Sequence, residues 1–185
     1  VRAALAWLRR VDPRLRFAVR ASALMVAFYL VIYFPYREGS VPARILHAYL
    51  ELQAWLAGAC LGLVDPTVAV DGTNIGGRFP LRIVLDCAAL DAVALFAAAV
   101  LAFPAAAGTK ALGLLAGAGV IVAFNVGRIV FLYFAGTTWP ASFDLLHEDV
   151  MQLALILVAA ACFVVHLRWS GRRAGIESRG SDAVA

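Results

Sequence analysis

Apolar residues run almost without interruption through four stretches of the chain: Leu15 to Phe34, Ala88 to Phe103, Ala111 to Phe134 and Leu145 to Leu167. Each meets or approaches the ~20 residues a helix needs to cross the hydrocarbon of a bilayer, the second only when the apolar residues before it are counted. Apolarity on every face over that length predicts helices set in lipid, not amphipathic helices with one wet side. Pro104 and Gly108, with Lys110 beyond them, predict a tight cytoplasmic hairpin between the second and third stretches. The pattern contains no internal repeat.

Two regions break the pattern. From Arg44 to Val64 the chain is apolar, yet Arg44, His47 and Glu51 share a helical face that continues as Ala54, Gly58 and Gly62, the composition of a packing stripe. If this segment crossed completely, the basic N- and C-terminal regions would lie on opposite sides of the membrane. If it lies in the outer interface, or dips in and returns, both are cytoplasmic, and the positive-inside bias favours that topology. Between Asp65 and Asp86 the period becomes two. Val68 and Val70 alternate, Asp71-Gly72 offers a turn, and Phe79, Leu81, Ile83 and Leu85 alternate again, predicting a small extracytoplasmic hairpin or extended flap that leads into Cys87. Pro80 restricts this element to a sheet edge.

With 63% hydrophobic residues and a mean hydropathy of +0.86, the chain falls outside the range of soluble domains, and 185 residues leave room for one membrane domain. The fold class expected is therefore an all-α integral membrane protein, a polytopic helical bundle carrying the flap. Residues 1–169 form the membrane-embedded domain and 170–185 a basic, flexible cytoplasmic tail held loosely against anionic lipid. Arg2, Arg9, Arg10, Arg14 and Arg16 precede the first span, and Arg168, Arg172, Arg173 and Arg179 follow the last. This is an anchoring pattern for a plasma-membrane protein, not a nucleic-acid patch. The first stretch has the basic front of a signal peptide but is long for a cleavable core and lacks a small-residue cleavage site, so it reads as a retained span. Three cysteines cannot all pair, and Cys60 and Cys162 lie in apolar helical stretches where a thiol packs as a small hydrophobe.

Candidate chemistry gathers near one predicted membrane face. Cys87 follows Asp86 at the junction of an extended segment and a helix, where unpaired amides would favour a thiolate; the alternative is a packed interfacial cysteine. Asn125 and Arg128 project from one helical face at i, i+3, and Gly127 leaves room beside them. A guanidinium in a span costs about 2.5–3.5 kcal/mol on insertion scales, so Arg128 either snorkels to the interface or serves a site. His147 opens the last span beside Glu148 and Asp149, which either orient it or mark an acidic helix start; imidazole there either meets solvent or moves protons near neutral pH. His47 and His166 lie at other depths and rank lower.

The chain resembles the exosortase/archaeosortase family in its short, single-domain form. The resemblance rests on Leu85-Asp86-Cys87 leading into a span, Phe124-Asn125-Val126-Gly127-Arg128-Ile129 near the end of the next, and His147 opening the last, within Phe79 to Trp169. It implies a polytopic cysteine protease or transpeptidase of C-terminal sorting signals, with Cys87 as nucleophile, Arg128 as stabilising cation and His147 as acid/base; Asn125 and Asp86, beside them in the sequence, are candidate supporting residues. It also implies a partner: a secreted protein ending in a short motif, an apolar helix and a basic end. Members often carry a glycine-containing segment after the cysteine, whereas Ala88, Ala89 and Leu90 follow here.

The competing reading is a nonenzymatic membrane scaffold or assembly subunit in which Arg128 and Asn125 hold helices together. A transporter would need the repeats or broken helices that are missing from the sequence. Cys87 and His147 lack further ligands at metal spacing, and no glycine-rich phosphate loop joins a strand to a helix, so no metal, nucleotide or other cofactor is expected. Membrane lipid is the remaining expected partner.

Overall fold

A computed structural model of the chain describes residues 12–182, with side chains through Arg173. Helix α1 (Pro13–Ile32) starts where Asp12 accepts a hydrogen bond from the Arg14 amide at 2.7 Å, with proline in the first turn. None of its residues is buried. That would be untenable in water for so apolar a helix and is ordinary where lipid covers it. Helices α4 (Ala107–Thr138) and the run from Leu145 to Arg173 are likewise long and apolar enough to cross a membrane. The latter opens as a π-helical turn, Leu145–Val150, and continues as α5 (Met151–Asp182).

Helix α3 (Leu90–Ala102) departs from expectation. The stretch read as Ala88 to Phe103 forms a 13-residue helix, roughly 20 Å long and short of a ~30 Å hydrocarbon core. It is the hub of the bundle, packed by α1, α4 and α5, and its alanines let those neighbours close in. The inner core joins Ala92, Phe96, Val100, Ile121, Leu155 and Ala159, and Phe96 occupies the space that a side chain at Gly117 would need. Because α3 is short and preceded by the 3-10 turn Leu85–Cys87, Cys87 is recessed. Helix α4 continues from Arg128 to Thr138, roughly 15 Å beyond the cysteine's level.

The space above is filled by helix α2 (Val41–Gly62) and a three-stranded antiparallel meander: β1 (Val70–Asp71), β2 (Asn74–Ile75) and β3 (Leu81–Arg82). The expected hairpin thus gains a third strand. Its first turn is the two-residue loop Gly72-Thr73, with Gly72 at φ +57, and Pro80 precedes edge strand β3. The packing stripe of α2 is Gln53, Ala54, Ala57, Gly58 and Leu61; Ala54 and Gly58 were expected, whereas Gly62 is exposed. An outer core of Ala54, Ala57, Leu61, Ile75, Ile83, Ile129 and Tyr133 ties α2 and the meander to the C-terminal half of α4. Helix α2 is not among the helices apolar enough to cross.

One buried network clamps the meander down. Tyr133 donates its hydroxyl proton to Asp65 at 2.8 Å and accepts from the Arg78 amide at 2.8 Å, and the Arg78 guanidinium pairs with Asp65 at 3.3 Å. Hydrogen bonds from Thr67, then from Tyr133, hold the Asp65 carboxyl below the usual aspartate range.

Composition placed the start of the tail at Ser170, but α5 runs on to Asp182 without a break. Ser170 is buried, its hydroxyl donating to the Leu167 carbonyl at 3.0 Å. Arg2, Arg9 and Arg10 lie outside the described residues, as do the side chains beyond Arg173.

Candidate functional site

At the seam between the inner and outer cores, the three expected residues meet. The Cys87 sulfur lies 3.1 Å from Nε2 of His147, a distance across which a proton can pass. Arg128 is 4% exposed. One of its terminal nitrogens donates to the His147 carbonyl at 3.0 Å and the other contacts Oδ1 of Asn125 at 3.4 Å. Asn125 is fully buried and donates from Nδ2 to the Cys87 carbonyl at 2.9 Å. Two residues of α4 therefore hold the backbones of the cysteine and the histidine, which come from different elements, in one frame.

Local structure explains each position. His147 sits in the π-helical turn, where the widened backbone departs from regular α-helical spacing, a feature that recurs at functional sites. Its ring stacks on Phe143 with centroids 5.6 Å apart and planes 8° from parallel, and Phe143 in turn meets Phe79 of the flap at 5.0 Å. Glu148 and Asp149 make no hydrogen bond to the imidazole among the described residues. Orientation comes from the aromatic stack and from Arg128, not from the acids the sequence offered.

Cys87 closes its 3-10 turn by donating its amide to the Val84 carbonyl at 3.0 Å. It does not sit at the N-terminus of α3, as expected; that end begins after Ala89, which takes the left-handed φ of +55. The glycine-bearing segment absent from the sequence is thus replaced by an alanine in a conformation that glycine favours. Burial pushes the Cys87 thiol above its ordinary range, against a lowering by the Arg128 charge and a smaller rise from Asp86. Burial thus favours the thiol form of the resting sulfur, with a base in contact.

Asp86 makes no hydrogen bond to the imidazole among the described residues. Tyr33, just past α1, approaches Asp86 at 3.2 Å and both carboxylate oxygens of Asp91, the nearer at 3.1 Å. Tyr49 of α2 donates to the Ala88 carbonyl at 2.8 Å and accepts from Gln53 at 2.8 Å. Neither tyrosine stands out in the sequence, because aromatic residues are common at membrane interfaces whatever they bind.

Cys87, Arg128 and His147 open on a cavity of about 300 Å³ walled by Phe79, Pro80, Leu81, Ile129, Leu132 and Phe143, with Arg82 in its lining. Nε of Arg128 is buried and has no hydrogen-bond partner among the described residues. A cysteine, an imidazole and a fixed cation share the lining of one mostly apolar pocket. The family model described as transmembrane exosortase (Exosortase_EpsH) matches residues 3–165. The chain belongs to the transmembrane exosortase family. It is a multi-pass membrane protein, and the match extends well upstream of the Phe79 boundary at which the short motifs begin. No curated protein and no solved structure matches the chain.

Proposed function

We propose that this exosortase is a membrane cysteine protease or transpeptidase that cleaves C-terminal sorting signals of secreted proteins at the outer face of the plasma membrane. The observation that carries the reading is the 3.1 Å contact between Cys87 and His147 beside the unpartnered Nε of Arg128. His147 takes the thiol proton as the Cys87 sulfur attacks the scissile carbonyl. The Arg128 N–H faces the charge that develops on the carbonyl oxygen, and protonated His147 returns its proton to the departing amine. Asn125 positions the Cys87 backbone. The resulting thioester passes to an amine acceptor in transpeptidation or to water in hydrolysis.

Charge asymmetry supports the orientation. Arg14, Arg16, Arg20, Lys110, Arg168, Arg172 and Arg173 lie toward the bundle end opposite the site, whereas Asp86, Asp91, Asp144, Glu148 and Asp149 gather near the site and there offset Arg37, Arg44, Arg78 and Arg82. The positive-inside bias makes the basic end cytoplasmic. A substrate with an apolar helix and a basic cytoplasmic end would then hold its scissile bond at the depth of Cys87, so that insertion itself supplies alignment.

The test is to trap a covalent adduct with a candidate secreted substrate and map it by mass spectrometry in the wild type, Cys87→Ala, Arg128→Ala and His147→Ala at matched abundance. The adduct should map to Cys87 and vanish in Cys87→Ala. Undiminished processing by Cys87→Ala would leave the scaffold reading in its place. Labelling of Cys87 by a membrane-impermeant thiol reagent from the cytoplasmic side alone would reverse the orientation.

A further inference from the structure

At the inner end of α4 and α5 lies a second cavity, of about 590 Å³, open toward the lipid and lined by residues that include Gly113, Ala116, Val120, Ala161, His166 and Trp169. Its walls are apolar apart from one group. His166 is 4% exposed, its ring fills the notch over Gly113, and both ring nitrogens are buried without a hydrogen-bond partner among the described residues. Buried polar atoms in native structures are normally paired. An imidazole left so at the edge of an apolar groove points to a ligand with oxygen atoms at that depth.

The groove's cytoplasmic rim is cationic. Arg173 lies 4.4 Å over the Trp169 ring, and Lys110, one turn before Gly113 on the same helix, donates one of its three ammonium protons to the Leu101 carbonyl at 2.7 Å. We infer that this groove binds one anionic phospholipid of the inner leaflet, its acyl chain against Ala116, Val120 and Ala161, its ester oxygens at His166 and its phosphate at Arg173 and Lys110. Charge complementarity selects this occupant. A substrate's basic cytoplasmic end would meet the same cations and be repelled, and a second copy of the chain would bring an identical cationic rim against this one. A neutral imidazole supplies an N–H donor for an ester or phosphate oxygen, and tryptophan marks the headgroup level.

The purified full-length chain in nondenaturing detergent is titrated with phosphatidylglycerol and with phosphatidylcholine of the same acyl composition, and bound lipid is counted by native mass spectrometry. One phosphatidylglycerol should be retained, about tenfold tighter than phosphatidylcholine at low salt, and the preference should shrink as salt screens it. Ala161→Trp combined with Ala116→Trp should remove the adduct, because both positions are exposed in the groove, while Leu153→Trp on the exposed surface of α5 should keep it. His166→Phe should weaken phosphatidylglycerol binding with the ring volume preserved. Equal retention of the two lipids by the wild type overturns the inference without recourse to any variant. So does an adduct indifferent to the tryptophans, displacement of the lipid by a substrate-tail peptide, or an Ala161→Cys cross-link between two chains.

Discussion

Helices α4 and α5 each carry polar residues at both ends, and the two ends differ in what other elements bring to them. At the end that holds the site, the π-turn entering α5 supplies His147, α4 supplies Asn125 and Arg128, and the turn before α3 delivers Cys87 within 3.1 Å of the imidazole. At the opposite end, His166 is buried more deeply than the half-buried His147, yet its ring nitrogens have no hydrogen-bond partner among the described residues. The histidine with a reactive neighbour is thus the one at whose level a third element ends. Here that element is α3, whose shortness leaves its leading turn recessed.

The largest expected effect tests that contrast directly. His147→Phe should reduce substrate processing by about 10²–10⁴-fold, the range for losing a general acid–base group, whereas His166→Phe, at the other end of the helix pair from the chemistry, should leave processing within about twofold in detergent replete with phosphatidylglycerol. Comparable losses from both variants would erase the distinction between the two ends.

Arg128 comes next. Arg128→Ala should lower the processing rate by about 10²–10³-fold, as for removal of one oxyanion donor. Arg128→Lys should not restore it, because a single ammonium lacks the forked guanidinium geometry that reaches the Asn125 side chain and the His147 carbonyl together. Full rescue by lysine would reduce Arg128 to a charge. Asn125→Ala removes the bond to the Cys87 carbonyl and should cost about tenfold in kcat with KM held, since leaving a buried acceptor unsatisfied costs roughly 1–3 kcal/mol.

Titration separates the cysteine from an ordinary thiol. Burial raises its pKa, so in the substrate-free enzyme the thiolate fraction, and with it the alkylation rate by iodoacetamide, should rise with pH through a midpoint above about 8.5, the value for a free cysteine. Arg128→Ala should move that midpoint further up, because the guanidinium favours the anion. A midpoint below the free value would mean that sulfur and imidazole rest as an ion pair, with proton transfer complete before substrate arrives.

Much of this arrangement was legible in the chain, for identifiable reasons. The long lipid-facing helices announce themselves because nothing else tolerates such apolarity. Cys87, Arg128 and His147 could be placed at one depth because each sits near the end of a span. Their contact was not legible. It depends on the π-turn, which has no residue signature in Leu145–Val150, and on α3 ending early, where Cys87, Ala88 and Ala89 are as apolar as the helix they fail to join. The orienting partners were misassigned for a related reason: Glu148 and Asp149 are adjacent in sequence, whereas Phe143 and Arg128 are adjacent in space. Asp65 and Tyr133 are 68 residues apart, beyond the reach of any local pattern, although Asp65 preceding Pro66-Thr67 carries the signature of a side-chain-capped turn.

The smallest effect concerns Ala89, whose backbone sets where α3 begins and hence where Cys87 points. An L-residue at φ +55 is strained by its Cβ, typically by about 1–2 kcal/mol, while glycine escapes that cost but loses roughly 0.5–1 kcal/mol more to chain entropy on folding. The two effects oppose each other, so Ala89→Gly should raise thermal stability in detergent by no more than about 1 kcal/mol and leave the Cys87 alkylation profile in place. Ala89→Val should do the reverse on both counts, since a β-branched residue is a genuine outlier in that region. It should lower stability and, by forcing the turn to relax, separate the sulfur from His147, seen as a loss of processing larger than the loss of folded protein. If valine is accepted with the site intact, the left-handed residue is incidental, and the position of Cys87 must be fixed instead by Asn125 on its carbonyl and Tyr49 on the next one.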